Sequence, residues 1–253
     1  MVAIGKMDIG KKRSRNEDAF FVSTQEYGPL ANVYIVADGM GGHKAGAYAS
    51  NSAINFLCEF LEDHASMNLV SDEDITLFLK SGVAHANYQL FQKAKKDPLY
   101  EGMGTTLTIC TIKNHMLYVA HVGDSRLYTV NSEKISQITE DHSLVQEMIT
   151  KGYISDKEAS NHPQRHIITR AVGTYEKIQV DTYTTGLTGV GYIFLCSDGV
   201  TTMLSDDEIH TIIISSQGLK DKVNSLITLA NDRGGEDNIT VILAIYNKAV
   251  KGC

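Results

Sequence analysis

Val33-Tyr-Ile-Val-Ala37, running without a break into Asp38-Gly39, decides how this chain is read. A short apolar run, rich in β-branched and aromatic residues and closed by a turn dipeptide, suits a buried strand. Met at a single place, the Asp-Gly that ends it is ordinary turn chemistry. The pattern recurs, however. Met116 to Val122 runs into Gly123-Asp124, and Tyr192 to Cys196 runs into Ser197-Asp198-Gly199. In a fourth place the order is reversed, with Asp237-Asn238 ahead of the strand Ile239 to Tyr246. In an antiparallel sheet, the end of one strand and the start of its neighbour share an edge. Four aspartates so placed are expected to converge on one rim, where their charges repel unless a cation neutralises them. No Cys or His cluster accompanies them, and an all-oxygen donor set suits Mg²⁺ or Mn²⁺ rather than Zn²⁺ or Cu²⁺.

Further strands are expected over Thr105 to Thr111 and Arg126 to Val130. Helical spacing marks Gly46 to His64, with Ala49, Ala53, Phe56, Leu57, Phe60 and Leu61 on one face. Ser71-Asp-Glu-Asp74 and Ser205-Asp-Asp-Glu208 both read as capping boxes that open amphipathic helices. Another apolar face runs from Leu219 to Ala230 and stops at Gly234-Gly235. Strands come mostly in groups and helices in pairs between them. That order predicts a mixed α and β chain with a sandwich core of antiparallel sheets covered by helices.

The composition agrees with a globular protein. Of 253 residues, 43% are hydrophobic and 21% charged, which excludes disordered and fibrous classes. Three prolines, no low-complexity tract and no repeat predict a single domain over 1–253. Lys and Arg number 23 against 30 acids, a net charge of −7 that disfavours generic binding to nucleic acid or to anionic membrane. No apolar run approaches the length of a transmembrane span, and the first ten residues do not form a signal peptide, so a cytoplasmic location is expected. Cys58, Cys110, Cys196 and Cys253 never form a Cys-x-x-Cys pair. The first three lie in apolar stretches and read as structural thiols, while Cys253 reads as exposed.

Arg13-Ser-Arg-Asn-Glu17-Asp18 adds two guanidinium groups and two acids near the N-terminus. Alone it reads as a solvated turn. Beside a carboxylate rim, an arginine is a phosphate anchor, because its planar fork keeps its charge at neutral pH. A metal-activated water and a fixed arginine suffice to hydrolyse a phosphate ester.

At this point the sequence resembles the metal-dependent protein Ser/Thr phosphatases of type 2C, the PPM family, in their compact bacterial form. Eight segments carry the likeness in order: Arg13 to Asp18, Val36 to His43, Gly104 to Leu107, Ala120 to Arg126, Thr139 to Ser143, Ile168 to Gly173, Ser197 to Gly199 and Glu236 to Thr240. The resemblance implies an α+β fold, a four-layer αββα sandwich of two packed antiparallel sheets flanked by helices. It implies that Asp38 bridges two Mn²⁺ or Mg²⁺ ions, that the Gly39 carbonyl ligates one, and that Asp198 and Asp237 complete the other. Either Glu17 or Asp18 takes the family's remaining acidic position, as a ligand or as a holder of metal-bound water. Asp124 matches the residue that, with Asp198, holds a weaker third metal, and Arg13 matches the phosphate-binding arginine. A water bridging the two metals would attack phosphorus in line, with no phosphoenzyme. Residues 141–173 look like the flap of bacterial members, where His162 and Arg165 are candidates for substrate contact. Animal members place a histidine directly after Asp-Gly; here that position is Met40, and His43 is read as structural.

The implied partners are phosphorylated proteins, including a membrane-anchored Ser/Thr kinase and its substrates, met by a monomer. A two-metal nuclease or small-molecule phosphatase is the first alternative, and the lack of a basic stripe counts against the nuclease. A pseudophosphatase scaffold is the second. It has no use for the mutually repulsive Asp38, Asp124, Asp198 and Asp237.

Overall fold

The structure is a computed structural model that describes residues 1–41, 45–160 and 162–247; His43 and Cys253 lie outside the described residues. Among the described residues, eleven strands form two sheets in which every pairing of strands is antiparallel. One sheet has the order β1 (Val2–Asp8), β11 (Ile239–Ile245), β10 (Tyr192–Cys196), β7 (Arg126–Val130), β8 (Ile135–Gln137). The other has the order β2 (Asp18–Ser23), β3 (Val33–Met40), β5 (Leu107–Lys113), β6 (Met116–Val122), β9 (Asp181–Gly186), with β4 (Gly104–Thr105) also paired to β3.

Side-chain alternation along these strands builds three apolar layers. Val33, Ile35 and Ala37 of β3 face α1 (Ala45–Asp63) and α2 (Asp72–Lys96), in a cluster with Leu57, Leu61, Leu79 and Leu90. Tyr34 and Val36 face the other way and meet Ile193, Leu195 and Ile242 between the sheets. Phe194, Val241 and Leu243 pack outward against α6 (Asp206–Ile214) and α7 (Leu219–Asp232) through Ile209, Ile213, Val223 and Leu226. Helix, sheet, sheet and helix therefore stack in four layers, as the resemblance implied. Each buried Leu, Ile or Phe in these layers is worth roughly 1.5–3 kcal/mol.

Both capping boxes form. The Asp74 amide donates to Ser71 Oγ at 3.0 Å and the Ser71 amide to Asp74 Oδ2 at 2.8 Å. Glu208 Oε2 accepts from the Ser205 amide at 3.0 Å and from its hydroxyl at 2.9 Å. Each such cap contributes about 1 kcal/mol.

Two differences from the sequence reading bear on the site. The strand beginning at Val33 does not end at Ala37 but continues to Met40, so Asp38 is a strand residue and not a turn residue. The run expected over Thr105 to Thr111 is broken at Thr106, whose amide donates to Asp38 O at 2.9 Å and whose Oγ1 accepts from the Asp38 amide at 2.8 Å. Thr106 thus leaves the regular ladder to fasten the Asp38 backbone. Strands β1, β2, β8 and β9 were not expected. The first three flank or edge the sheets with few fully buried residues, and β9 is a polar edge, Asp-Thr-Tyr-Thr-Thr-Gly.

Residues 141–173 carry α3 (Leu144–Thr150) and α4 (Asp156–Ser160), and α5 (Asp198–Thr201) directly follows β10. Among the described residues no helix is long and apolar enough to cross a membrane. Cys110 and Cys196 are buried and Cys58 is half-buried, all as free thiols.

Candidate active site

One cavity of about 740 Å³ opens where β3, the β6–β7 turn, α5 and the start of β11 meet. Its lining includes Asp38, Asp124, Asp198 and Asp237, so the tertiary fold gathers the four aspartates that the sequence pattern singled out. Arg13, Glu17 and Gly39 line the same cavity.

Each carboxylate arrives differently. Asp38 is held through its backbone by Thr105 and Thr106, which leaves its side chain free of those bonds. Asp198 is the first residue of α5. Asp124 follows Gly123, whose φ of +114° is open to glycine and where a Cβ would lie 2.5 Å from the Thr106 side chain. Asp237 precedes β11, and its Oδ1 accepts from the Asn238 amide at 2.8 Å.

Asn238, which the sequence reading passed over, organises the N-terminal loop. Its Oδ1 accepts from the Glu17 amide at 2.8 Å, and its Nδ2 donates to Ile9 O and Arg15 O, each at 2.9 Å. The Lys11 and Lys12 amides add bonds to Gly235 O at 2.7 and 3.1 Å. Arg13 is thereby carried to the cavity rim, where Nη2 donates to Asp237 Oδ2 at 2.7 Å. That pair is half exposed and contributes little to stability.

Glu17 and Asp18 separate clearly. Glu17 lines the cavity, with Oε2 against Gly46 in α1, where a Cβ would come within 2.5 Å of it. Asp18 is buried behind the rim. Its Oδ2 accepts from Ser197 Oγ at 2.7 Å and from Thr240 Oγ1 at 2.6 Å, while Oδ1 has no partner.

Electrostatics sets this cavity apart from an ordinary polar cleft. Burial, reinforced by the neighbouring aspartates, pushes the carboxyls of Asp38 and Asp124 well above the usual carboxylate range. It lifts Asp18 to about 6 and Asp198 to about 7, the latter helped by Asp237. Asp18 Oδ1, Asp124 Oδ1 and Asp198 Oδ1 are buried without a hydrogen-bond partner among the described residues. A buried carboxylate oxygen left unpaired costs free energy, and a cation removes both that cost and the mutual repulsion. Among the described residues, no three His, Cys, Asp or Glu side chains already form a closed ligand cluster. The fit to a hard divalent cation therefore rests on the shared cavity, the unpaired oxygens and the all-oxygen donor set.

Of the flap candidates, Arg165 lines a second cavity of about 460 Å³, while His162 lines neither. The two cavities share Asp124, Asp198, Thr202 and His166. His166 was not singled out in the sequence; it lies in the irregular stretch beside Arg165, and no local pattern marked it.

The family model described as Protein phosphatase 2C matches residues 5–243. The chain is 38% identical over 248 residues to "Serine/threonine phosphatase stp" of Listeria welshimeri, covering 98% of this chain and 96% of the relative. It is 38% identical over 244 residues to "Protein phosphatase PhpP" of Streptococcus pneumoniae, covering 95% and 96%. Among solved structures, that of Serine/threonine phosphatase Stp1 from Staphylococcus aureus superposes with a TM-score of 0.90 at 35% identity, covering 97% of this chain and 94% of that one. That of the Mycobacterium tuberculosis serine/threonine phosphatase PstP/Ppp gives 0.84 at 31%, covering 96% and 97%.

Proposed function

We propose, from the premise that the chain belongs to the protein phosphatase 2C family and is a protein-serine/threonine phosphatase, that it hydrolyses phosphoserine and phosphothreonine in proteins with divalent metal ions held by its aspartate cavity. One observation carries this reading. Asp38, Asp124, Asp198 and Asp237, from four separate elements, line one cavity, and two of them bury oxygens with no partner.

Asp38 and the Gly39 carbonyl, with Asp198 and Asp237, would hold two cations, Mn²⁺ or Mg²⁺, and Asp124 with Asp198 a weaker third. Bound there, the cations would supply Lewis-acid neutralisation of the phosphoryl oxygens and lower the pKa of a nearby water. The protein's own groups do the rest. Glu17, on the cavity wall, is the acid suited to direct contact with a metal or its water. Asp18, fixed by Ser197 and Thr240, stands behind and orients the rim. Arg13 would exchange its bond to Asp237 for a phosphoryl oxygen, donating through its fork.

The whole chain then acts as one phosphatase domain, with residues 141–173 as a flap over the second cavity and Arg165 as a substrate contact. His162, outside both cavities, is the weaker candidate. Phosphorylated proteins are the substrates, among them a membrane-anchored Ser/Thr kinase and its targets, met by a cytoplasmic monomer.

The test is hydrolysis of a phosphothreonine peptide by the purified protein with Mn²⁺ and then with EDTA. Turnover that needs Mn²⁺ and stops with EDTA is expected. Undiminished turnover after thorough chelation would overturn the reading.

A further inference from the structure

His142 is the second residue of the segment 141–173 and is 6% exposed at its side chain. It is tied to Gly123 in both directions. The Gly123 amide donates to His142 Nδ1 at 3.0 Å, and the His142 amide donates to Gly123 O at 2.7 Å. Because Nδ1 accepts, the neutral ring carries its hydrogen on Nε2, which faces Asp181 Oδ2 at 3.0 Å. Arg170 Nη1 donates to the other oxygen of Asp181 at 2.8 Å. Arg170 Nη1 also lies 3.0 Å from His142 Nε2, and the carboxylate between these two donors makes their approach tolerable. Burial holds the His142 pKa below its ordinary value, which keeps the ring neutral despite Asp181.

This network closes the base of the segment. The Leu144 amide donates to Ile167 O at 2.9 Å and the Thr169 amide to the His142 carbonyl at 2.8 Å, so the two ends of the segment are joined through their backbones beside His142. The turn on the far side of that ring has no slack. Gly123 sits against the Thr106 side chain, and Thr106 is bonded to the Asp38 backbone. Asp124 is the next residue, and its buried Oδ1 has no partner among the described residues.

We infer that His142 is a positioning residue: it clamps the Gly123-Asp124 turn and thereby fixes where the Asp124 carboxylate stands in the cavity, with Asp181 of β9 and Arg170 of the flap setting its tautomer. This rests on the reading of Asp124 as a ligand of the weaker third cation. The clamp touches neither substrate nor metal. It converts a change at the base of the flap into a displacement of Asp124.

Two substitutions divide the ring into its halves. His142→Asn keeps an acceptor at the δ position for the Gly123 amide and loses the reach to Asp181. His142→Gln keeps a donor for Asp181 and loses the acceptor. Mn²⁺ titrations of the full chain, followed by electron paramagnetic resonance, read the weakest site directly, and metal-free thermal melts report folding. His142→Gln is expected to weaken that site roughly threefold to tenfold, the worth of one hydrogen bond, with the tighter sites unchanged. His142→Asn is expected to stay close to wild type. Wild-type Mn²⁺ binding by a folded His142→Gln, or an equal loss in His142→Asn, would overturn the inference. If His142→Gln does not fold, Asp181→Ala, which frees Nε2 and leaves the ring in place, is expected to weaken the same site; no change there would overturn it equally. Asp124→Asn separates the two levels. If it leaves every site intact, the Asp124 reading fails and the inference falls with it; if it removes the weakest site while His142→Gln keeps it, the positioning inference alone fails.

Discussion

Asp18 and Asp38 stand directly opposite each other across the β2–β3 ladder, a buried and a half-buried carboxylate in one cross-strand pair. Like charges placed this way destabilise a sheet, and burial removes the water that would screen them. Ser197 and Thr240 fix one oxygen of Asp18 and no described residue pairs the other, so a proton or a cation on the cavity side would relieve the repulsion.

The pH dependence of the metal-free protein follows from that pair. The carboxyls of Asp18, Asp38, Asp124 and Asp198 are all raised in the folded state above their unfolded values. A group raised in this way binds its proton more tightly when folded, so its stabilising contribution is complete below the unfolded pKa, near 4, and is lost as pH rises through the folded value. Melting temperature without metal is therefore expected to fall between pH 4 and pH 8, with Asp18 and Asp198 lost near 6 and 7. Saturating Mn²⁺ should remove most of that slope. A flat metal-free profile would mean the cavity carboxyls are not held neutral.

Asp198→Asn tests the ligand assignment with little change of shape. Activity on a phosphopeptide is expected to fall by more than the roughly 10–100-fold seen for residues that merely orient a ligand. In metal-free buffer above pH 7 the variant should melt higher than wild type, because one member of the repelling cluster is gone. Near-wild-type rates at saturating Mn²⁺ would remove Asp198 from the site.

Arg13→Lys keeps the charge and loses the fork. Catalytic efficiency is expected to drop about 10- to 150-fold, the value of a charge-assisted hydrogen bond of about 1.5–3 kcal/mol. Because Arg13 is bonded to Asp237 in this structure, Arg13→Ala should tighten Mn²⁺ binding by about twofold to fivefold, the modest worth of a half-exposed ion pair. Steady-state kinetics and calorimetry of Mn²⁺ binding check the two halves. Unchanged kinetics in Arg13→Lys would leave the phosphate to the metals alone.

Gly46→Ala reverses an ordinary expectation. Within a helix, Ala is favoured over Gly by about 1 kcal/mol. At Gly46 the new methyl would meet Glu17 Oε2 at 2.5 Å and Gly39 O at 2.9 Å. The variant is expected to lose about 1–3 kcal/mol of stability and to weaken Mn²⁺-dependent turnover by displacing the Glu17 carboxylate. A thermal melt and a Mn²⁺ activation curve read both effects; a higher melting temperature would show that the close approach relaxes freely.

The sequence by itself determined the sandwich, the helices that cover it and the identity of the four aspartates. Those features are local. The apolar runs at Val33, Met116, Tyr192 and Ile239 are buried along nearly their whole length and therefore leave a strong pattern, and the capping boxes at Ser71 and Ser205 are written in four consecutive residues. Edge strands such as Asp181–Gly186 bury less and leave a weak one. Only the tertiary structure decided what depends on contacts between distant residues. Glu17 and Asp18 are neighbours in sequence and equal in charge, yet one lines the cavity and the other is sealed behind it by Ser197 and Thr240, about 180 and 220 residues away. Asn238 and His142 have no sequence signal beyond their motifs, because each acts by bonding the backbone of another segment, at Glu17 and at Gly123. Such bonds need only a donor and an acceptor brought together by packing, and no periodicity in the chain records where packing brings them.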